Sequence, residues 1–234
     1  MTKGADLATL VGARICHDLI SPIGAIGNGM ELLALSGTPP SPELELIEDS
    51  LRNAMARVQF FRIAFGAART GQVVSRSEIL DTLQGAGHGG RIAYEWKVPG
   101  NPSRSLVRTA FLILQCLETA MPRGGAITIA STSCGLNILA AGQDLRIDPA
   151  LWDRFGQLAD NRPMIPAVVH FALLPQALSD AGQDVTVTFE PERIKVTLAM
   201  DALGDPDVGP STDMATDMAA DLAAHLETDL QAKG

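Results

Sequence analysis

The chain has 234 residues, 46% of them apolar and 19% charged, and its formal net charge is −9 at pH 7. This length is sufficient for a sizeable core and for two structural units. No apolar run reaches the ~18 residues of a membrane span, and no basic patch indicates nucleic-acid binding. The first residues show no apolar h-region, so we expect no secretory signal. The three cysteines show neither paired nor metal-ligand spacing. We therefore expect a cytoplasmic protein that binds neither membrane nor nucleic acid.

The first predicted element is a long helix over residues 7–35. Its apolar residues recur at steps of three and four, as in a helix packed on other helices: Ile15, Leu19, Ile23, Ile26, Met30 and Leu33. At about 100° per residue, His17 lies roughly 160–200° from this apolar stripe. Ser21, Gly24 and Asn28 follow on the same outer side. The pattern predicts a solvent-facing imidazole beside a row of small residues that another protein could approach closely.

A second helix is predicted after the break at residues 37–42. Ser41 can cap it, Pro42 fits the first helical position, and acids at positions 43 and 45 suit the helix dipole. Its apolar stripe contains Leu44, Ile47, Leu51, Met55, Val58, Phe61 and Phe65. Two such helices joined by a short loop predict an antiparallel hairpin. A lone hairpin would leave these stripes exposed, so we expect a homodimer with a four-helix bundle.

From about residue 73 the periodicity changes to that of an α+β unit. A capping-box pattern, Ser75-x-x-Glu78, precedes a short helix (79–84) and a flexible loop (85–90). We then predict strand 91–98, helix 103–120, strands 126–133 and 136–141, helix 166–181, and a hairpin of strands 185–189 and 194–200. This order indicates an antiparallel or mixed sheet covered by helices on one face.

The predicted units are a helical hairpin (1–72), the α+β unit (73–203) and an acidic tail (204–234). In the last 34 residues, eight acids stand against one lysine. Apolar residues recur there every four positions, which leaves open an amphipathic helix or a solubilising appendage. We interpret His88 as a loop residue and His170 as a core histidine.

The sequence HDLISP at residues 17–22 resembles the H-box of bacterial sensor histidine kinases. That resemblance implies that His17 is the phospho-accepting residue, with Asp18 and Ser21 in supporting positions. Pro22 removes a main-chain hydrogen bond, so a helix bend is expected after the acceptor. Because imidazole has an ordinary pKa near 6.5, its neutral, nucleophilic form dominates at neutral pH.

Residues 112–129 resemble the N-box helix and following strand of the histidine-kinase (GHKL) ATPase domain. In that family, asparagines on the helix hold the magnesium of ATP, but Cys116 and Thr119 take their places. Ala140 takes the place of the adenine-recognising aspartate, and the glycine-rich lid and final Gly-x-Gly are missing. Magnesium requires hard oxygen ligands. We therefore expect a degenerate ATPase fold without ATP, bound cofactor or metal, and without autokinase activity.

Over residues 5–200 the chain resembles the ChpT-type histidine phosphotransferases of alphaproteobacterial cell-cycle phosphorelays. The segment LVGARICHDLISPIGAIGNG at residues 10–29 matches that family at nearly every position. The resemblance implies phosphoryl transfer through His17, from the receiver of a hybrid kinase to a CtrA-like response regulator. The receiver would supply its own aspartate, lysine and magnesium.

We expect the receiver to dock beside His17, where the two helices of the hairpin lie opposite each other. The predicted docking residues are Ala13, Arg14, Gly24, Asn28, Arg52, Met55 and Gln59. Two alternatives stay open at this point. One is an active histidine kinase with an unusual ATP site, and the other is a dimeric adaptor that binds receivers without transferring phosphate.

Overall fold

The computed structural model of the chain describes residues 12, 19–20, 23–37, 39, 41–87, 91–153, 155 and 166–200. Residues 23–35 are helical and are called α1. The other helices are α2 (Pro42–Phe65), α3 (Arg76–Gly87), α4 (Arg104–Ala120), α5 (Pro149–Trp152) and α6 (His170–Ala181), with a 3-10 turn at Pro166–Val168. The strands are β1 (Ile92–Trp96), β2 (Gly125–Thr132), β3 (Gly135–Ala141), β4 (Gln183–Glu190) and β5 (Arg193–Met200). Within these ranges, no helix is both long and apolar enough to cross a membrane.

Helix α2 begins where its capping residues predict. The Ser41 side chain accepts a hydrogen bond from the Leu44 backbone N–H at 3.3 Å, and Pro42 occupies the first turn. Two glycines of the N-terminal segment lie beside α2. A Cβ on Gly27 would be 3.4 Å from Leu51, and one on Gly12 would be 3.2 Å from Phe65. The earlier glycine, Gly12, lies beside the end of α2, and the later one, Gly27, lies nearer its start. The two segments therefore run antiparallel.

The C-terminal half of α2 belongs to the same core as the α+β unit. Phe60 and Ile63 are fully buried, and the Phe60 ring lies 4.6 Å from that of Phe111 on α4. Arg104 closes the end of α2, since its guanidinium donates to the carbonyl groups of Arg62 at 3.1 Å and Ala67 at 3.0 Å. The Arg62 carbonyl is among the last four of α2, which have no partner within the helix. The aromatic contact and the arginine fix α2 to α4.

Helix α3 is longer than its sequence predicts. The serine half of the capping box is confirmed, because Ser75 Oγ accepts from the Glu78 backbone N–H at 3.1 Å, while the Glu78 carboxylate pairs with Arg62. The prediction of a flexible loop is wrong for residues 85–87, which are helical, while residues 88–90 lie outside the described residues. A Cβ on Gly85 would be only 2.7 Å from the Cβ of Ala56. Glycine therefore serves close packing of α3 on α2.

The five strands form one mixed sheet of order β1-β2-β3-β5-β4. Strands β1 and β2 pair in parallel, and the remaining pairs are antiparallel. Alternate residues of the central strands are buried in one continuous core with α4 and α6, including Ile127, Ile129, Ile138, Val196 and Leu198. The opposite face carries exposed or half-buried residues such as Thr128, Thr197 and Lys195. The predicted α+β class with a mixed sheet is thus confirmed.

Candidate functional site

Several predicted site residues lie outside the described residues: His17, Asp18, Ser21, Ala13 and Arg14. Their roles stay predictions. The remaining five predicted docking residues, on α1 and α2, are described: Gly24, Asn28, Arg52, Met55 and Gln59. We call these five residues the docking strip.

The docking strip is accessible. Asn28 and Arg52 are exposed, whereas Gly24, Met55 and Gln59 are half-buried. A Cβ on Gly24 would meet no atom within 4 Å, so the space above this glycine is open. Because Gly27 faces Leu51, the two parts of the strip lie at similar levels along the helices. This arrangement leaves room for a partner surface.

The charge on the docking strip comes from Arg52. Its guanidinium lies 3.8 Å from a carboxylate oxygen of Glu48 and also pairs with Asp49, while 59% of its side chain is exposed. Such exposed ion pairs contribute about 0–1 kcal/mol to stability. Arg52 can therefore exchange these partners for an incoming carboxylate at little cost.

Helix α3 borders the docking strip. Arg62 Nη2 lies 2.7 Å from Glu78 Oε1, and Gly85 lies against Ala56. On α2, Ala56 lies three residues before Gln59 and Arg62 lies three residues after it. A partner seated over Gln59 would therefore lie beside α3.

The sequence resemblance places Cys116, Thr119 and Ala140 at the positions expected to hold nucleotide. Cys116 and Ala140 are 0% exposed, and burial raises the pKa of the Cys116 thiol well above its usual range. Thr119 Oγ1 donates to the Gln115 carbonyl at 3.0 Å and lies 3.1 Å from His170 Nε2. A buried thiol and a methyl group offer no hard oxygen ligand, and the Thr119 hydroxyl already has two protein partners.

The interpretation of His170 as a core histidine is confirmed. The residue is 6% exposed, and burial lowers its pKa to about 4. Both contacts of Thr119 are satisfied when its hydroxyl donates to Gln115 and accepts from the Nε2–H of His170. In the part of the chain that is described, no group of three or more His, Cys, Asp or Glu side chains could hold a metal ion.

A polar cluster that sequence reasoning missed joins α2, α4 and β1. Arg57 Nη1 lies 3.0 Å from Glu118 Oε2, and Tyr94 donates a hydrogen bond to Glu118 Oε1. Burial and the charge of Glu118 raise the pKa of Tyr94, so the phenol is protonated at neutral pH. Two features of the sequence could have indicated this cluster. Tyr94 is the sole tyrosine, and Glu118 interrupts an apolar helix.

Comparisons with known proteins agree on one family. The family model for the histidine phosphotransferase C-terminal domain matches residues 76–193. The protein phosphotransferase ChpT of Brucella abortus (strain 2308) is 33% identical over 169 residues, which cover 68% of this chain and 78% of that protein. A bacterial phosphotransferase solved at 1.7 Å is 29% identical. That match covers 85% of this chain and 98% of the other, with a TM-score of 0.61.

Proposed function

The chain belongs to the ChpT-type histidine phosphotransferase family of two-component signalling, and we propose that His17 carries the phosphoryl group between two receiver domains. The observation that carries this proposal is the family match, which agrees with the HDLISP segment at residues 17–22. The donor is the receiver of a hybrid kinase, and the acceptor is a CtrA-like response regulator. The transfer is proposed to take place in the cytoplasm, with this chain as a homodimer.

The proposed chemistry is a reversible exchange between aspartate and histidine. A ring nitrogen of His17 attacks the phosphorus atom and forms a bond to it. The bond between phosphorus and the aspartate oxygen breaks, and the receiver aspartate leaves as a carboxylate. The second transfer runs the same exchange in reverse onto another receiver. Phosphoryl transfer depends mostly on positioning and on stabilising the charge that develops. The receiver supplies magnesium, while Asp18 orients the imidazole and Ser21 supports it.

The docking strip is the proposed seat of the receiver, together with Ala13 and Arg14. The open space above Gly24 and the exposed charge of Arg52 support this assignment. Small side chains let two backbones approach closely, and an arginine can reach carboxylates around the receiver active site. The docking strip thus provides close approach on α1 and charge recognition on α2.

We attribute dimerisation to the apolar stripes of α1 and α2. Ile26 is 54% exposed, Leu33 44% and Ile47 45% in the single chain, although all three belong to the predicted stripes. Burial of apolar surface is the dominant favourable term in association. A second copy that covers these residues would complete the antiparallel hairpins into a four-helix bundle.

The proposed transfer uses no ATP and requires no cofactor bound by this chain. The buried thiol of Cys116 and the methyl of Ala140 support this view, because neither can replace an amide or carboxylate oxygen. The α+β unit would then serve as a degenerate ATPase fold without autokinase activity.

A two-receiver relay tests the proposed function. A phosphorylated receiver domain is mixed with this chain, and a second, unphosphorylated receiver is added once the first has lost its label. We expect label on the chain first and on the second receiver afterwards. Complex formation without label on the chain would identify a non-catalytic adaptor instead. In a separate incubation of the chain with radioactive ATP and no receiver, label on the chain would identify a kinase.

A further inference from the structure

Helix α2 leaves the α+β unit at a defined point. All of its buried residues lie from Ala56 onward, and none of residues 42–55 is buried. Two contacts mark this exit on the α+β side. Ala56 touches Gly85 of α3, and Arg57 pairs with Glu118 of α4. The segment of α2 before this point, with Arg52 and Met55, projects beyond the core of the unit.

Among the described residues, α2 makes two ion pairs with the unit, and the Arg57 contact has the better shielded carboxylate. Arg57 is 43% exposed, but the Glu118 side chain is only 18% exposed and also accepts from Tyr94, so two elements hold the carboxylate in place. In the other pair, Arg62 and Glu78 are 46% and 37% exposed. Solvent weakens exposed pairs much more than partly buried ones. The Arg57–Glu118–Tyr94 cluster is therefore the stronger polar restraint on α2.

This cluster and the docking-strip residues of α2 lie on opposite sides of that helix. Met55 and Gln59 stand two residues to either side of Arg57, which places them about 160° away around the helix at 100° per residue. A roll of α2 about its axis that releases Arg57 would turn Met55 and Gln59 toward or away from α3. The buried Phe60 and Ile63 anchor α2 in the core. The pairing of Arg57 adds a polar restraint on the direction in which Met55 and Gln59 point.

We propose that the Arg57–Glu118–Tyr94 cluster is a positioning element, which fixes the roll of α2 at its exit and so holds the docking strip in the orientation that a receiver recognises. The functional consequence rests on the proposed phosphotransfer, but the geometric one does not. None of the three residues touches the phosphoryl group. When only a fraction of molecules has the competent orientation, apparent affinity falls by that fraction.

The geometric part is tested by a distance measurement that needs no partner. Spin labels are placed at Ser50→Cys on α2 and Glu192→Cys in the β4–β5 turn, with Cys16 and Cys134 replaced by serine. Labelled chain is diluted with unlabelled chain so that distances within one molecule dominate. We expect one narrow distribution for the parent and a broader or shifted one for Arg57→Gln. An unchanged distribution would overturn the proposal.

The functional part is tested by the kinetics of receiver-dependent labelling. For Arg57→Gln we expect KM for the phosphorylated receiver to rise about fivefold, with kcat within about twofold of the parent. Labelling by a small phosphodonor such as phosphoramidate should be unchanged, because it requires no docking. Arg57→Lys should retain most of the parent affinity, since it keeps the positive charge.

Arg123→Gln is the matched control, because it breaks an exposed ion pair with Asp144 away from α2. It should leave KM unchanged. If Arg57→Gln does not fold, Tyr94→Phe keeps the aromatic ring and removes only the hydrogen bond to Glu118, and KM should still rise about twofold. A parent KM in both variants, or a fall in kcat and in phosphoramidate labelling, would overturn the positioning role. Absence of transfer by the parent chain would instead contradict the proposed function.

Discussion

Burial of the His170 ring makes the stability of the folded chain depend on pH. Its pKa is about 4 in the folded protein because burial disfavours the imidazolium, whereas an unfolded chain has the ordinary value near 6.5. Between these values the unfolded state binds more protons, so stability rises with pH across this window. As the pH falls below 6.5, the free energy of unfolding decreases progressively, by up to about 3 kcal/mol from this group.

The substitution His170→Gln tests this linkage. The glutamine amide can still donate to Thr119 from the position of Nε2 but does not titrate, so the free energy of unfolding should fall less steeply between pH 6.5 and pH 4 than in the parent. Urea unfolding at several pH values measures the difference, and titrating carboxylates cancel because both proteins share them. Parallel curves for the two proteins would contradict the assignment.

Cys116 and Ala140 decide the outcome of an ATP titration. Neither side chain can make the polar interaction with Mg-ATP that an amide or carboxylate would make at its position. Each such interaction is worth on the order of 1–3 kcal/mol, and each 1.4 kcal/mol is tenfold in affinity. We expect no heat on calorimetric titration with millimolar Mg-ATP and no label from radioactive ATP. Micromolar affinity would restore the kinase interpretation.

At the scale of elements, the packing of α3 on α2 depends on a glycine. Alanine at position 85 would gain up to about 1 kcal/mol in helix propensity. Its Cβ, however, would stand 2.7 Å from the Cβ of Ala56, and overpacking of this kind costs about 1–3 kcal/mol. We therefore predict that Gly85→Ala lowers the free energy of unfolding by about 1 kcal/mol, measured by urea denaturation.

Gly29→Ala is the matched control for that prediction. Gly29 is helical, as Gly85 is, but it is exposed, and a Cβ there would meet no atom within 4 Å. This substitution should stabilise the chain by up to about 1 kcal/mol. Combining Gly85→Ala with Ala56→Gly should recover stability, because the colliding methyl is removed. If both single variants behaved alike, packing would not explain Gly85.

The contrast between α2 and α3 shows how far sequence reasoning reaches. The caps at Ser41 and Ser75 and the alternation of the strands are local signals, and the structure confirms them. The predicted end of α3 is wrong, because the close approach to Ala56 comes from a distant part of the chain. The Arg57–Glu118 pair joins positions 61 residues apart. Periodicity within one element contains no information about such a contact.

For the whole molecule, we predict a dimer that surface substitutions can separate. Ile26→Asp with Ile47→Asp should give a folded monomer in light scattering, because both side chains are already exposed in one chain but would be buried between two. A buried, unpaired carboxylate is strongly unfavourable. Leu46→Asp is the control. It lies about 100° from Ile47 around α2, is 68% exposed, and should leave the dimer intact.

His17 is the residue that we propose to carry the phosphoryl group, and a labelling experiment tests this assignment. Parent chain, His17→Gln and the control His88→Gln are each incubated with the same phosphorylated receiver, and the label on the chain is measured. We predict equal, acid-labile label on the parent and on His88→Gln, since phosphohistidine is the expected intermediate, and none on His17→Gln. Label that persists on folded His17→Gln would contradict this role of His17.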